Sequence, residues 1–248
     1  MNADDPLAVA VASAIREGDV EALGQLLKDN PGLAAARIRD QKTGELARTL
    51  LHVVTDWPGH VPNASSTIAL PIAEGADVNG RFIGRHAETP LHWAASSGDV
   101  EALDSLLDAG AGIDTGGGVI GGGTPLSDAV AFAQWNAARR LVERGAQVTF
   151  AEAAALGLLS EVESELRLRH PAVAEINRAF WLACHGGQRA TVEYLLERGA
   201  AIDWLPPWEQ ATPLEAARRN GFDQLADWLE SQGAHVARDL LREKSEEE

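Results

Sequence analysis

The chain has 248 residues, 45% of them hydrophobic, with 21 basic against 37 acidic side chains and a formal charge of −16. Bulk electrostatics of that sign do not draw a protein to phosphate backbones or anionic lipid, so neither nucleic acid nor membrane is expected as a partner. The single cysteine, Cys184, excludes an internal disulfide and a cysteine-based zinc site, and suits a reducing, cytoplasmic compartment.

The N-terminus, MNADDPLAVAVASAI, is acidic where a signal peptide is basic, and no apolar run in the chain approaches the length of a membrane span. From Leu7 to Pro31 the pattern predicts a helix pair containing GDVEALGQLL. A second unit, Thr49 to Val78, opens with TLLH and closes with EGADV, and carries extra length in DWPGHVPNASS. The best-formed unit runs from Glu88 to Asp114, ETPLHWAASSGDVEALDSLLDAGAGID, and its GDVEALDSLL repeats residues 18–27 at eight of ten positions. Thr89 is placed to cap a first helix with Pro90 at its first position, where a missing N–H costs nothing. Ala94 and Ala95 are small enough for close helix approach. Gly98 allows a turn, Leu103, Leu106 and Leu107 share one apolar face, and Gly110 ends the second helix.

Further copies follow at Gly123–Ala146, at Ala151–Leu166 (the most degenerate), at Arg178–Ala200, which lacks the Thr-Pro start, and at Thr212–Ala234. Between the third and fourth units lies TGGGVIGGGTP, residues 115–125. It contains a G-x-G-x-x-G match, but a dinucleotide fingerprint needs a preceding strand, so a long flexible hairpin is the expected structure.

The Glu88 unit resembles the ankyrin repeat, whose signature is T-P-L-H-x-A with a period of about 33 residues; Thr89, Pro90, Leu91, His92 and Ala94 stand in place. The resemblance implies an all-α solenoid of about seven helix pairs joined by hairpin loops, with degenerate caps at both ends. Residues 1–240 form one domain on this reading, and 241–248 an acidic, disordered tail. The Ala/Arg/Gly-rich style and short caps resemble a stand-alone bacterial ankyrin protein. The family's histidine at T-P-L-H, here His52 and His92, is expected to tie adjacent repeats together.

In the family, hairpin tips and exposed first-helix positions form a concave face that binds a protein partner. The register puts Ser96 and Ser97 there, then Phe132, His185 and Arg219, with Asp56 and Trp57 near the corresponding place in the long-loop unit. Phe82, His86, Trp204 and Trp208 fall in hairpin regions and His60 in the long loop. Exposed Trp is a preferred binding anchor because it buries a large rigid surface. Trp204 and Trp208, stiffened by two prolines, are assigned to binding and Trp228 to the core, while Trp93 and Trp181 fit either role. Asp56, Asp128 and His185 are the residues that an acid–base role in the groove would use.

A monomeric protein-binding module without metal or cofactor is therefore expected. The alternative is a small-molecule-binding protein or enzyme with an aromatic pocket covered by loops 56–66, 115–124 and 203–211. FWLACHGGQ places a histidine next to the cysteine, yet a shift of 89 residues lays it over LHWAASSGD. Cys184 then falls on Ala95, a small packing position, and His185 on Ser96, facing the groove.

Overall fold

A threonine followed by a helix former and a polar residue at the third helical position marks most first helices. At Thr49, Thr89, Thr124, Thr149 and Thr212 the threonine amide donates to the side chain three residues on, which is His52, His92, Ser127, Glu152 and Glu215 respectively. Two second helices start on aspartates, where the Asp19 and Asp99 carboxylates accept the amides of Ala22 and Ala102 at 2.9 and 3.0 Å.

The computed structural model describes residues 1–40 and 45–246. The chain divides into two compact units, Met1–Gln147 and Val148–Glu248. The first holds four helix pairs: α1 (Pro6–Glu17) with α2 (Val20–Asp29), α3 (Leu50–Val54) with α4 (Ala64–Ala73), α5 (Pro90–Ser97) with α6 (Val100–Asp108), and α7 (Pro125–Ala131) with α8 (Trp135–Glu143). The second holds three: α9 (Phe150–Leu156) with α10 (Leu159–Arg169), α11 (Val173–His185) with α12 (Arg189–Leu196), and α13 (Pro213–Arg219) with α14 (Asp223–Ser231), followed by α15 (Ala237–Glu246). These seven pairs among the described residues match the expected all-α repeat architecture. The helix α15 reaches into the acidic stretch 241–248 that was expected to be disordered; residues 247 and 248 lie outside the described residues.

Each unit has its own core. Leu23, Leu50, Leu91, Leu103, Leu126 and Leu141 are fully buried in the first, and Phe180, Cys184, Val192 and Leu195 in the second. Alanines 94, 95 and 129 are buried too, and their small side chains let the helices approach closely. The two T-P-L-H-type histidines link consecutive pairs. His52 Nδ1 accepts the Thr49 amide, which leaves the proton on Nε2 to donate to the Glu88 carbonyl at 3.2 Å. His92 repeats the arrangement between Thr89 and the Gly123 carbonyl at 3.2 Å.

Two features depart from a plain helix stack. Between α2 and α3, β1 (Arg37–Arg39) pairs antiparallel with β2 (Ala47–Thr49), and Ala47 bridges on to Ile83. Ile38 and Ala47 turn inward, so this small sheet closes over the first unit's core. The second departure is the segment joining α3 to α4, residues 55–63, where an ordinary pair has a tight turn. It lies back along the helix-turn edge. The Asn63 amide group donates to the Gly18 carbonyl at 2.9 Å, and the His60 backbone N–H donates to Asp99 at 2.6 Å.

Gly18 meets this segment closely. Its φ is +64°, and a Cβ on it would stand 2.2 Å from the Pro62 carbonyl oxygen. Gly18→Ala is therefore expected to destabilise the first unit by about 2–4 kcal/mol, combining left-handed strain with overpacking. Denaturant unfolding checks this; a loss under about 1 kcal/mol, the cost of the left-handed backbone alone, would show that the segment moves aside freely.

Candidate functional site

In the second unit the missing Thr-Pro has a visible consequence. Without a stop at Arg178, α11 extends back to Val173 and reaches 13 residues. The 89-residue shift that lays Cys184 on Ala95 also lays Trp181 on His92. Trp181 ties consecutive pairs together as that histidine does. Its indole N–H donates to the Ala211 carbonyl at 2.8 Å, and Ala211 precedes Thr212 as Gly123 precedes Thr124. The larger ring covers more of the helix. It stacks on His185, one turn along, at 5.4 Å and 17°, and receives Trp208 edge-on at 5.8 Å. Trp204 meets Trp208 at 5.6 Å.

Two guanidiniums complete this cluster. Arg178 lies 5.6 Å from the Trp208 ring, and Arg219 lies 5.8 Å from the Trp181 ring while pairing with Glu209 at 2.7 Å. Trp181 is 3% exposed and His185 4%, whereas Trp208 is 50% exposed. His185 does not open onto solvent as the Ser96 register implied. Trp181 covers its ring, and the Asn220 side-chain amide donates to its Nδ1 at 2.7 Å and to its carbonyl at 2.8 Å.

In the first unit, Phe82 and Trp93 pack 5.4 Å apart, with the His52 ring 4.8 Å from Trp93. They form one wall of a cavity of about 220 Å³ whose other walls include Ile38, Arg39, Leu46 and Arg48. Burial pushes His52 down to about 4, the Glu88 carbonyl opposing this, so the ring is neutral near neutral pH. Asp56 pairs with Arg48 at 2.5 Å, Trp57 is 75% exposed, and His86 is also exposed. The Ser96 and Ser97 hydroxyls turn back to the Trp93 carbonyl, so neither is offered to a ligand.

Asp128 differs from all of these. It lies on α7 beneath the glycine-rich hairpin, fully buried, and neither carboxylate oxygen has a hydrogen-bond partner. A Cβ on Gly118 would stand 2.8 Å from both oxygens, so the hairpin backbone rests directly on the carboxyl. Burial, reinforced by the negative charge of Glu88, pushes its pKa up to about 7; the Ile120 amide opposes this without reaching hydrogen-bond geometry. Phe132, the next turn of the same face, is 48% exposed.

The family model described as "Ankyrin repeats (3 copies)" matches residues 7–152, more than half of the chain. The chain belongs to the ankyrin-repeat family. No curated protein matches it. The match covers the first unit, and the helix pairs beyond residue 152 are visible as repeats from their geometry.

In this ankyrin-repeat protein, two of the expected site groups come together within a unit. Trp181, His185, Trp204, Trp208 and Arg219 form one cluster, and Phe82 and Trp93 form another. His60 binds into the helix-turn edge through Asp99. Sequence reasoning missed Arg178 and Glu209. The only signal for Arg178 is its position one turn before Trp181 and Leu182 in a helix that lacks its Thr-Pro stop. The clustered arginines are paired: Arg140 and Arg144 both bind Asp104 of α6, and Arg218 binds Glu230. Trp228 packs half-buried against the core with the Arg189 guanidinium 3.9 Å above it.

Among the described residues no group of three or more His, Cys, Asp or Glu stands so as to hold a metal ion. No described helix is long and apolar enough to cross a membrane. Cys184 is fully buried, and burial holds its thiol well above the ordinary value. Alkylation of Cys184 by iodoacetamide at pH 8 is expected to proceed at the rate of unfolding. Labelling of the native chain as fast as a model thiol would contradict that.

Proposed function

We propose that this chain is a protein-binding module without catalytic activity, acting as a monomer in the cytoplasm and gripping its partner through the Trp204–Trp208 face of the second unit. The observation that carries this reading is Trp208 itself. It is half-exposed, yet held on three sides by Trp181, Trp204 and Arg178. A large aromatic surface that is already ordered loses little entropy on binding, and Trp and Arg are the residues that most often dominate interface energetics.

The alternative, a small-molecule or enzymatic pocket, has less support. The Phe82–Trp93 cavity of about 220 Å³ is below the roughly 300–1,000 Å³ of ordinary ligand pockets. In the loop 56–66, expected to cover a groove, His60 and Asn63 are fastened to the helix-turn edge.

The test is to isolate the partner with the full chain and measure its affinity for wild type and Trp208→Ala by calorimetry. The substitution is expected to weaken binding by about 30-fold or more, as for a hot-spot aromatic, with only a small change in melting temperature. Unchanged affinity would remove this face from the interface.

A further inference from the structure

The first unit carries a second, chemically different feature that the Trp208 face does not use. Asp128 is a fully buried carboxyl with two unpartnered oxygens, closed over by six-glycine backbone rather than by side chains. The hairpin holds its own shape through bonds from the Gly117 and Gly118 amides to the Gly122 and Gly123 carbonyls, both 2.9 Å. Hydrogen bonds that moor it to the rest of the unit include Ala87 N–H to the Gly117 carbonyl at 3.1 Å, Arg81 to the Gly116 carbonyl at 2.9 Å, and His92 to the Gly123 carbonyl at 3.2 Å. A hairpin bonded to itself in this way can move as one piece, and its glycines tolerate the backbone change at either end.

The surroundings of Asp128 suit a cation. Glu88 adds a second negative charge from the preceding hairpin. Arg81, the nearby cation, is engaged with the Ala87 and Gly116 carbonyls, and His92 is held neutral by burial. Exposed apolar side chains lie on both elements that enclose the acid: Val119 and Ile120 on the hairpin and Phe132 on α7. An uncompensated acid held between two elements that both carry exposed apolar groups fits a basic side chain with an apolar neighbour.

We propose that the glycine-rich hairpin is a movable cover, and that Asp128 beneath it receives the ammonium or guanidinium group of a basic segment of a partner protein, whose adjacent large apolar side chain lies against Phe132. Closed, the carboxyl keeps its proton over much of the neutral range. Engaged, it is a carboxylate paired with the incoming cation, and the proton passes to solvent. Binding therefore strengthens as pH rises.

The probe is a displayed library of random linear peptides, selected against the full wild-type chain and against Asp128→Asn, Gly118→Ala and Trp208→Ala. Peptides retained by wild type and lost by D128N are expected to carry Lys or Arg beside a large apolar residue. A synthetic copy of the best is expected to bind about tenfold more tightly at pH 8 than at pH 6, with the pH difference absent in D128N. Gly118→Ala keeps the acid and pushes the cover off it, so it is expected to bind that peptide several-fold more tightly than wild type. Selection that yields no peptide dependent on Asp128, dependent peptides without a basic residue, or pH-independent binding would each overturn the proposal. Circular dichroism verifies that D128N and G118A are folded. Because this site is independent of Trp208, a selection that yields only peptides lost by W208A would support the other face while overturning this one.

Discussion

With asparagine at position 128, the first unit gains more stability than the wild-type chain does as pH rises from about 4 to about 7. Buried groups of opposite sign act over this range: Asp128 on one side, His52 and His92 on the other. Asp128 is raised from 3.8 to about 7. It is neutral in both folded and unfolded states below pH 4. Above that, ionisation favours the unfolded chain, and stability falls until pH reaches about 7. His52 is lowered from 6.5 to about 4. Its contribution is fully present above 6.5 and is lost as pH falls through 4.

The Asp128 shift corresponds to a stability change of about 4 kcal/mol and the His52 shift to about 3 kcal/mol, with opposite signs. Removing the acid leaves the dependences of His52 and His92 without its opposition. The measurement is urea unfolding of both chains at pH 4, 5.5, 7 and 8, and the quantity that matters is the difference between them, because every shared group drops out of it. That difference is expected to move by about 4 kcal/mol in favour of D128N between pH 4 and 8. Parallel curves would mean that Asp128 is ionised in the folded chain.

Trp181→Ala is expected to cost the second unit about 3–5 kcal/mol, the range for removing a buried large aromatic. Two losses combine: the ring that packs His185 and Trp208, and the N–H that satisfies Ala211. Trp181→Phe separates them, since it keeps most of the ring and leaves the Ala211 carbonyl unpaired, at about 1–3 kcal/mol. Circular dichroism follows both variants without depending on the fluorophore removed. Hydrogen exchange is expected to rise first at the start of α13, next to the broken tie. A cost under about 1 kcal/mol for W181A, less than one hydrogen bond to a buried carbonyl, would refute the idea that this indole joins the two helix pairs.

The repeat architecture was legible because helix starts and turns are local chemistry. Threonine caps, Pro90, the GDVEAL turn and the paired alanines each act within a few residues, and their recurrence fixed the register. Trp181 was readable in the same way, since the shift that resolved Cys184 also puts the indole in the place of His92. What stayed hidden depends on partners distant along the chain. His185 was expected at the surface because Ser96 stands there in the better-formed copy. The indole at 181 is longer than the imidazole it replaces, reaches one turn further, and covers His185 together with Asn220. The register put Asp128 on the first helix of its repeat, but nothing local says that a glycine hairpin will settle onto it. The strands β1 and β2 are three residues each, too short for their alternation to stand out.

The segment at 55–63 also bears on how such a chain can change over generations. Repeat arrays grow when a unit is duplicated, and a copy works wherever its two flanks look alike. The unit containing α3 and α4 has lost that freedom. Its long connection is fitted on one side to a glycine that has no room for a methyl group against Pro62, and on the other to the Asp99 carboxylate. Copied elsewhere in the array it would face the wrong neighbours, and deleted it would leave Gly18 and Asp99 without the groups they accommodate. The first three helix pairs are thus fitted to one another, and deleting or transplanting the α3–α4 pair is expected to destabilise its neighbours where an exchange of regular pairs would not.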